Sequence, residues 1–411
     1  MKPWTHHGPG PVPPAPTSRI RVSHVITRLI VGGAQENTLC SVVGLGRIPD
    51  WEVELISGPT RGAEGSLEHV ARAVPGLLRL EPGLVRPVHP PLDLLAYLRL
   101  RAHFRRTRPR IVHTHSGKAG ILGRFAARHA GVPCVVHTIH GPSFGDFQGG
   151  LANAMFRAAE RSAGRRTDHF VVVAEAMARQ YLAAGIGSPA HYTRIFSGFD
   201  LAPFLGARGP DEGLASRLGI RPGDFVVGKV ARLFRLKGHD DLFAAAAGMV
   251  RRVPNVRFLL LGDGPWRSRF EALAASDPGL AGRFIFAGLV PPSEVPRYLA
   301  LMDVLVHLSR REGLARVLPQ ALASGKPVIA FDCDGAGEVC REGETGFLLA
   351  PGDRSGLVDR VARLAGRPDL ARSLGERGRS WVAERFSEAA MVEALDSLYR
   401  RLLGLKEDRI P

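Results

Sequence analysis

Short apolar runs alternate with longer amphipathic stretches along almost the whole chain, and this alternation constrains the fold more than any other feature. In the first half, the runs predicted to be strands cover residues 20–26, 53–57, 111–114, 134–138 and 169–173. Amphipathic stretches predicted to be helices cover 34–46, 92–107 and 118–129. Buried strands separated by helices are typical of parallel sheets with helices on both faces. The sequence therefore predicts an α/β fold.

The same alternation restarts in the second half. Predicted strands there cover residues 225–231, 257–261, 284–286, 304–307 and 328–330. A chain of 411 residues is too long for one ordinary core and suits two domains. Two doubly wound, Rossmann-like domains would face a central cleft at the carboxyl ends of their sheets, where α/β proteins bind ligands.

Composition shifts divide the chain into five predicted segments. The stretch 196–223 is rich in Gly and Pro and poor in periodicity, which favours a linker. The segments are a flexible, proline-rich tail at 1–18, a Rossmann-like domain at 19–200, a linker at 201–223, a second Rossmann-like domain at 224–385, and a C-terminal helix at 386–411 that packs back toward the first domain.

Composition also narrows the class of protein. The chain has 45% hydrophobic and 23% charged residues and no uncharged apolar run long enough to span a bilayer. Its four cysteines are scattered without metal-binding spacing, which favours free thiols in a reducing cytoplasm. The net charge of +16 suits phosphorylated ligands or an anionic membrane, but it decides no function alone. Nucleic-acid binding would need basic residues interleaved with aromatic ones, and the sequence lacks that pattern.

Two loops carry groups that can bind phosphate. Gly32 and Gly33 follow the first predicted strand and open a helix, so backbone N–H groups could approach a phosphate there. A tight turn without a ligand would have the same pattern. Arg232 and Lys237 follow the first strand of the second half, where two cations can clamp a diphosphate or can simply be solvated.

The stretch that begins at Glu312 is the most informative. A polar residue at a strand end is followed by a glycine and then by a helix, which places Glu312 in the predicted cleft. The free N–H groups of Leu314, Ala315 and Arg316 would face an anion. Gln320 lies about two turns further along the same helix face.

Other polar groups are better explained as structural. The sequence Gly-Asp-Gly-Pro at 262–265 lacks the third glycine of a dinucleotide loop, and Asp-Cys-Asp at 332–334 is a lone triplet, so both are predicted to be turns. Four histidines resemble a metal cluster, but no carboxylate or thiolate lies near them in sequence, and we predict no metal site: His113, His115, His137 and His140.

Together these segments resemble the retaining GT-B glycosyltransferases of family 4, over residues 20–400. The motifs match in order and spacing: Gly-Gly-Ala at 32–34, His-Thr-His at 113–115, His-Thr-Ile-His-Gly at 137–141, Ser-Gly-Phe-Asp at 197–200, Arg232 with Lys-Gly at 237–238, Gly-Asp-Gly-Pro at 262–265, and the Glu312 helix. The first domain would then be the acceptor side and the second would bind the nucleotide sugar.

The resemblance implies roles for the residues near the donor's diphosphate. Gly33 would contact a phosphate from the first domain, and Arg232 and Lys237 would hold the diphosphate and stabilise it as a leaving group. Glu312 would bind hydroxyl groups of the donor sugar, and the backbone of the three residues after Gly313 would meet the phosphate.

The resemblance also implies roles further from the diphosphate. The backbone near Val290 would read the edge of the nucleobase. His140 matches the histidine that lies close to the anomeric carbon, and His115 and Ser116 are candidates on the acceptor side.

The sequence departs from the family at two motifs. The family usually has a second glutamate, which binds the ribose hydroxyls, at the position of Gln320. A Gln amide can still accept from one hydroxyl and donate to another, so the role is retained. The linker reads Ser-Gly-Phe-Asp at 197–200 instead of Asn-Gly-Val-Asp, a change that we expect to be structural.

The function that the resemblance implies is transfer of a sugar, with retention, from a UDP- or GDP-sugar to an acceptor hydroxyl in cell-surface, exopolysaccharide or glycolipid biosynthesis. No cofactor and no metal are expected. Three alternatives stay open: a nucleotide-sugar epimerase or hydrolase of the same fold, a catalytically inactive scaffold, and a basic nucleic-acid-binding protein.

An arginine-rich stretch at 94–110 bears on where the protein works. Three arginines recur at helical spacing beside an apolar stripe: Arg101, Arg105 and Arg108 beside Leu95, Leu98 and Ala102. Either the helix covers the sheet with a solvated outer face, or the cations hold the protein against anionic lipid at the inner face of the membrane. The acceptor would be lipid-linked in the second case and a soluble saccharide by default.

Overall fold

The structure is a computed structural model that describes residues 19–61, 65–115, 117–145, 148–207 and 209–404. Two parallel sheets of seven and six strands follow one another along the chain, which confirms the predicted α/β class. The predicted tail at 1–18 and the last residues of the predicted C-terminal segment lie outside the described residues.

The first sheet comes from the first half of the chain. Its strands are β1 (Ile20–Ile26), β2 (Trp51–Ser57), β3 (Leu78–Leu80), β4 (Ile111–His115), β5 (Cys134–Ile139), β6 (His169–Val172) and β7 (Tyr192–Arg194). Its helices are α1 (Gly33–Leu45), α2 (Glu68–Arg72), α3 (Pro90–Thr107), α4 (Gly117–His129), α5 (Gly150–Gly164) and α6 (Glu175–Ala183). The strand order is β3-β2-β1-β4-β5-β6-β7, so the order reverses between β1 and β4.

The second sheet repeats this plan. Its strands are β8 (Phe225–Val230), β9 (Val256–Leu261), β10 (Phe284–Gly288), β11 (Val304–His307), β12 (Val328–Phe331) and β13 (Gly346–Leu349), in the order β10-β9-β8-β11-β12-β13. The remaining helices are α7 (Ala202–Gly206), α8 (Glu212–Arg217), α9 (His239–Arg252), α10 (Arg267–Ser276), α11 (Val295–Ala300), α12 (Val317–Ala323), α13 (Arg354–Ala365), α14 (Pro368–Arg385) and α15 (Glu388–Leu402).

Helices on both faces bury the central strands of the first sheet completely. Every residue of β4 and β5 is buried, including polar residues near the carboxyl ends of the two strands. Buried polar groups need hydrogen-bond partners. The histidines of these strands are therefore enclosed and must pair with other side chains.

The predicted linker at 201–223 is more ordered than its composition indicated. It contains α7 and α8, and Leu201, Phe204 and Leu214 belong to the core of the second sheet. Helices of five and six residues are too short to show a period, which is why the sequence of this segment indicated a linker and no helices.

Helix α15 follows the second sheet in sequence but packs on the first. Met391, Leu395 and Tyr399 share a core with residues of β1, β2 and β4. The indole Nε1 of Trp51 donates to Asp396 at 2.6 Å. The last helix therefore completes the hydrophobic core of the first sheet.

The arginine-rich helix α3 has a different buried face from the one predicted. Ala96, Leu100, His103 and Phe104 are buried, whereas Leu95 and Leu98, predicted to face the core, are 38% and 46% exposed. The predicted apolar stripe was wrong because it began at Leu95, whereas the buried face of α3 begins at the next residue, Ala96.

The third predicted arginine also lies off the helix. Arg108 follows the last turn of α3 in a left-handed conformation with φ 46°. The exposed face of α3 instead carries Leu94, Leu98, Arg101 and Arg105, which we call the basic–apolar stripe. Within the described residues, no helix combines the length and apolar composition needed to cross a bilayer.

Candidate active site

Three segments predicted to bind the donor, and the predicted 262–265 turn, follow neighbouring strands of the second sheet. Val290 lies just after β10, the 262–265 turn follows β9, Arg232 follows β8 and Glu312 follows β11. Because these strands are adjacent in the order β10-β9-β8-β11, their carboxyl ends meet at one edge of the sheet. The structure therefore brings the predicted donor residues to a single edge.

The 262–265 segment is a turn, as predicted, and it packs behind the loop that carries Arg232. A Cβ on Gly262, whose φ is 126°, would lie 2.2 Å from the carbonyl oxygen of Ala231. A Cβ on Gly264 would lie 2.4 Å from the carbonyl oxygen of Leu233. Only glycine permits this close approach, so the turn fixes the backbone on both sides of Arg232.

Lys237 is held in place by a turn and by an ion pair. The next residue, Gly238, has φ 67°, and a Cβ there would lie 1.9 Å from the carbonyl oxygen of Leu308. This contact joins the Lys237 loop to the end of β11. The Lys237 ammonium forms a salt bridge with the Glu312 carboxylate, to which the Ser309 hydroxyl also donates at 3.0 Å.

Glu312 remains ionised despite its enclosure. Burial by itself would raise the pKa of Glu312, but the charge of Lys237 outweighs this effect, together with His307 and the hydrogen bonds from Lys237 and Ser309. The pKa of Glu312 is therefore below its usual value. The carboxylate can accept hydrogen bonds from hydroxyl groups at neutral pH.

The backbone after β11 reaches the first domain. A Cβ on Gly313 would lie 1.9 Å from the carbonyl oxygen of His140, and Arg311 donates from Nη2 to the carbonyl oxygen of Pro142 at 2.8 Å. Asp334, in the predicted Asp-Cys-Asp turn, accepts from the backbone N–H of Glu312 at 2.7 Å. Glu312 and His140 thus lie on opposite sides of one narrow cleft.

Arg316 and Gly33 also meet across this cleft. A Cβ on Gly33, the first residue of α1, would lie 3.4 Å from Cδ of Arg316. The Arg316 guanidinium forms a salt bridge with Glu36, one turn into α1. The start of α1 therefore faces the segment that follows Glu312.

The helix predicted directly after Gly313 begins later. Leu314, Ala315 and Arg316 lie in a turn, and α12 starts at Val317. The predicted helix start was wrong because the segment first has to cross to the first domain. Gln320 lies within α12 and is partly exposed.

His140 follows β5 and is partly exposed to the cleft. Burial lowers the pKa of His140 to about 4. The imidazole is therefore neutral at neutral pH. One ring nitrogen can donate a hydrogen bond and the other can accept one, and the ring adds no positive charge to the site. Its Nε2 lies 3.1 Å from Nδ1 of His115, which is fully enclosed in β4. Ser116, predicted beside His115, lies outside the described residues.

Sequence reasoning missed two residues behind His140. His24 of β1 lies 2.9 Å from His115, and Tyr399 of α15 lies 3.2 Å from His24. The nitrogen atoms of His24, His113 and His115 all lie within 4.8 Å of one another. The sequence signal for His24 was a histidine inside an apolar strand. Its neighbours could not be predicted, because they depend on strand register and on where α15 packs.

A cavity of about 880 Å³ lies next to His140 in the first domain. Apolar side chains from α4 and α5 line it, together with Val88: Ile121, Leu122, Met155 and Phe156. Thr138, His140 and Lys118 also contribute to its wall. Val88 and Met155 are 74% and 65% exposed, so the apolar surface extends to the rim.

Comparisons with known proteins agree with this geometry. The family model described as "Glycosyl transferases group 1" matches residues 212–381, and the model described as "Glycosyl transferase 4-like domain" matches residues 33–196. The crystal structure of Anabaena Alr3699/HepE in complex with UDP-glucose shares the fold, with a TM-score of 0.76 at 21% identity over 93% of this chain and 100% of that chain.

The matches to two curated relatives cover most of the length of those proteins. The 2-deoxystreptamine glucosyltransferase of Streptomyces kanamyceticus is 30% identical over 69% of this chain and 74% of its own. The UDP-Gal:alpha-D-GlcNAc-diphosphoundecaprenol alpha-1,3-galactosyltransferase of Escherichia coli is 26% identical over 93% of this chain and 97% of its own. These matches confirm the predicted GT-B fold and glycosyltransferase activity, and the chain belongs to the glycosyl transferases group 1 family.

Proposed function

We propose that the protein transfers a hexose, with retention, from a nucleotide-diphosphate sugar bound in the cleft to an acceptor hydroxyl. The observation that carries this proposal is the meeting of the Lys237–Glu312 pair with His140 through the Gly313 contact. This contact supports a site in which a cation, an ionised carboxylate and a neutral imidazole act on one substrate. We assign donor binding to the domain at 224–385 and acceptor binding to the domain at 19–200.

The proposed chemistry depends on charge that develops at the anomeric C–O bond. As the bond breaks, positive charge forms on the sugar and negative charge on the departing diphosphate. Arg232 and Lys237 stabilise that negative charge, and the backbone from Leu314 to Arg316 supplies N–H groups to the phosphate. Glu312 accepts hydrogen bonds from hydroxyl groups of the sugar, which fixes its orientation.

The remaining donor contacts follow from position. Gly33, at the start of α1, approaches the phosphate from the first domain, and the backbone at Val290 reads the base. Gln320 bonds the ribose hydroxyls. The acceptor hydroxyl attacks from the face of the departing phosphate, which takes its proton, while His140 lies beside the anomeric carbon. We propose that the reaction needs neither a metal ion nor a cofactor.

We further propose that the acceptor is lipid-linked. The apolar cavity begins at Thr138 and His140, so an apolar group seated there would leave an attached sugar near the cleft. Asp93 of α3 lines the cavity, and the next residue, Leu94, begins the basic–apolar stripe. The Escherichia coli relative is named for a diphosphoundecaprenol-linked sugar, which supports the same acceptor class here. The protein would work at the cytoplasmic face of a membrane.

Turnover with matched acceptors tests this proposal. The purified protein is incubated with the nucleotide sugar that it binds, and with a sugar carried on either a polyprenyl diphosphate or a water-soluble linker. We expect transfer to the lipid-linked sugar, with the anomeric configuration of the donor kept in the product by NMR. Donor consumption without any acceptor would instead indicate an epimerase or hydrolase, and inverted product would contradict retention.

A further inference from the structure

A continuous chain of hydrogen-bonded side chains runs from His140 into the interior of the first domain. His140 Nε2 lies 3.1 Å from His115 Nδ1, and His115 Nε2 lies 2.9 Å from His24 Nδ1. His24 Nε2 lies 3.2 Å from the hydroxyl of Tyr399. That hydroxyl lies 2.5 Å from His113 Nδ1. We call these residues, together with Thr138, the histidine chain.

The inner end of the histidine chain is closed by a hydroxyl. His113 Nε2 lies 2.6 Å from Oγ1 of Thr138. Every member except His140 is buried: His24, His113, His115, Thr138 and Tyr399. Only His140 is partly exposed, at the cleft, and the chain passes through the protein interior before it ends at Thr138, which lies in the wall of the apolar cavity.

The imidazoles of the histidine chain are neutral at neutral pH. Burial lowers the pKa of His24 to about 3 and that of His140 to about 4. Burial, followed by the neighbouring histidines, holds the pKa of His113 and His115 well below the usual value. A neutral imidazole has one N–H donor and one acceptor nitrogen.

Because each imidazole donates once and accepts once, the protons can be arranged along the histidine chain in two ways. If His140 donates from Nε2, then His115 and His24 must each accept at Nδ1 and donate from Nε2. Tyr399 then donates to His113, which donates to Thr138. In the other arrangement every donor is reversed and each histidine carries its proton on Nδ1. The tautomer of His140 is therefore tied to that of the other three imidazoles.

We propose that His24, His113, His115 and Tyr399 are positioning residues that fix the ring orientation and tautomer of His140 for sugar transfer. This inference rests on the proposed role of His140 beside the anomeric carbon. Only one of the two nitrogens of a neutral imidazole carries a proton. A hydrogen-bond partner on one nitrogen therefore decides whether the other nitrogen, which meets the substrate, is protonated. The histidine chain provides that partner from buried, well-packed positions.

The histidine chain also couples the site to the end of the polypeptide. His24 comes from β1, His113 and His115 from β4, and Tyr399 from α15. Tyr399 packs edge-on against Trp51, with ring centroids 5.8 Å apart, so its hydroxyl is held toward the histidines. Correct positioning of His140 thus requires α15 to be docked on the first domain.

A metal centre is the competing explanation for three clustered histidines. Two imidazole nitrogens bound to one tetrahedral zinc lie about 3.3 Å apart, given Zn–N bonds of about 2.0–2.1 Å. The observed spacing of 2.9 Å between His24 and His115 is shorter and fits a direct N–H···N hydrogen bond. The geometry favours the histidine chain, and metal content is part of the test.

The test uses Tyr399→Phe, which removes the hydroxyl and keeps the ring. Selective ¹⁵N-histidine labelling and NMR report which nitrogen of His140 carries the proton. We expect all four imidazoles to carry the proton on the same nitrogen in the native protein, and the tautomer population of His140 to change in Tyr399→Phe, where no hydroxyl pairs with His24. We also expect kcat to fall about tenfold with an unchanged donor KM, a factor that corresponds to the loss of one hydrogen bond. His24→Asn should give the same pattern.

His169→Gln is the matched control. His169 is a buried histidine of the same sheet whose hydrogen-bond partner, at 2.8 Å, is Thr193 and not a member of the histidine chain, although its charge contributes to the low pKa of His113. This variant should keep the His140 tautomer and kcat. Because the NMR readout needs no substrate, it tests the histidine chain even if the proposed transfer fails.

Two results would overturn the proposal. The first is an unchanged His140 tautomer, or an unchanged kcat, in a folded Tyr399→Phe protein. The second is one equivalent of zinc in the purified native protein that is lost in His24→Asn, since this would make the cluster a metal centre. Thermal unfolding of each variant, followed by circular dichroism, checks that it is folded.

Discussion

Arg232 tests leaving-group stabilisation more directly than Lys237, because fewer contacts within the protein depend on its side chain. Lys237 is paired with Glu312, so its removal would also leave a half-buried carboxylate without its main partner. Arg232 is exposed, and its guanidinium lies over Phe234 at 5.4 Å from the ring centroid. Its removal should change the charge of the cleft without changing the fold.

Arg232→Ala should therefore lower turnover by about two to three orders of magnitude, the range seen when one preorganised electrostatic group is removed. Arg235→Ala is the control, since Arg235 is an exposed arginine of the same loop. Its turnover should stay near the native value. Equal turnover in the native protein and Arg232→Ala, at saturating donor, would remove Arg232 from the mechanism.

Gln320 stands where the resemblance to family 4 implies a glutamate, and two substitutions test its role. Gln320→Glu should bind the donor at least as tightly as the native protein, because the family places a glutamate there. Gln320→Leu should weaken donor binding by about 1–3 kcal/mol, since ribose hydroxyls would be left unpaired. Calorimetric titration measures both. Indifference of the affinity to both substitutions would place the ribose elsewhere.

The buried histidines should make the protein sensitive to mild acid. The pKa of His24 is about 3 and that of His307 about 4, both lowered from 6.5 mainly by burial. Below pH 6.5 the unfolded chain binds protons that the folded chain does not, so the free energy of unfolding falls as the pH drops from 6.5 toward 4. Each such histidine contributes up to about 1.4 kcal/mol per pH unit.

Urea unfolding at several pH values measures this effect. The midpoint should fall steeply between pH 6.5 and 4.5, and His24→Asn should show a shallower fall than the native protein. A midpoint that is constant over this interval would mean that these histidines are not held neutral in the folded state.

At the scale of helices and strands, the sequence predicted the central strands of both sheets and missed the shortest edge strands. The buried strands β1, β4 and β5 were predicted to within a residue or two because their apolar runs are continuous. Strands β3 and β7 have three residues each and were missed, as such short edge strands carry no recognisable alternation.

The site was predictable where chemistry follows a strand end and unpredictable where it depends on packing. Arg232, Lys237 and Glu312 each follow a predicted strand, and their clustering could be inferred from the doubly wound order. His24 and Tyr399 could not be placed, because their contact joins the first strand to a helix 375 residues later in the sequence. No periodicity encodes such a pairing.

Helix α3 carries the prediction about membrane contact. Its basic–apolar stripe places exposed Leu94 and Leu98 in line with Arg101 and Arg105. Replacing both arginines by glutamine should weaken binding to anionic vesicles about 30-fold at low salt, given about 1 kcal/mol for each cation near the surface. Co-sedimentation with vesicles of varied anionic content measures the affinity.

The matched control for this experiment replaces Arg251 and Arg372, which are exposed on helices of the second domain. The control should bind vesicles as the native protein does, and binding of the native protein should weaken at high salt. If the native protein ignores vesicle charge, the solvated-helix explanation of the stripe holds and a soluble acceptor becomes the default.

For the whole molecule, the two domains meet through a small number of specific contacts. Gly313 packs on the backbone of His140, Arg311 bonds Pro142, and Arg316 pairs with Glu36. These contacts bring the segment after β11 to the start of α1. In the proposed site the donor binds where this segment, the Arg232 loop and His140 converge, and each domain by itself would present only part of that site.

Calorimetric titration of nucleotide sugars into the purified protein, in EDTA, tests whether the cleft is the donor site. We expect a UDP- or GDP-sugar to bind without a metal ion, and Arg232→Ala to weaken this binding by at least about tenfold through loss of a charged contact to the diphosphate. The free nucleoside without phosphates should bind far more weakly. If no nucleotide sugar binds, or if Arg232→Ala binds it as tightly as the native protein, then the cleft between the two domains is not the donor site described above.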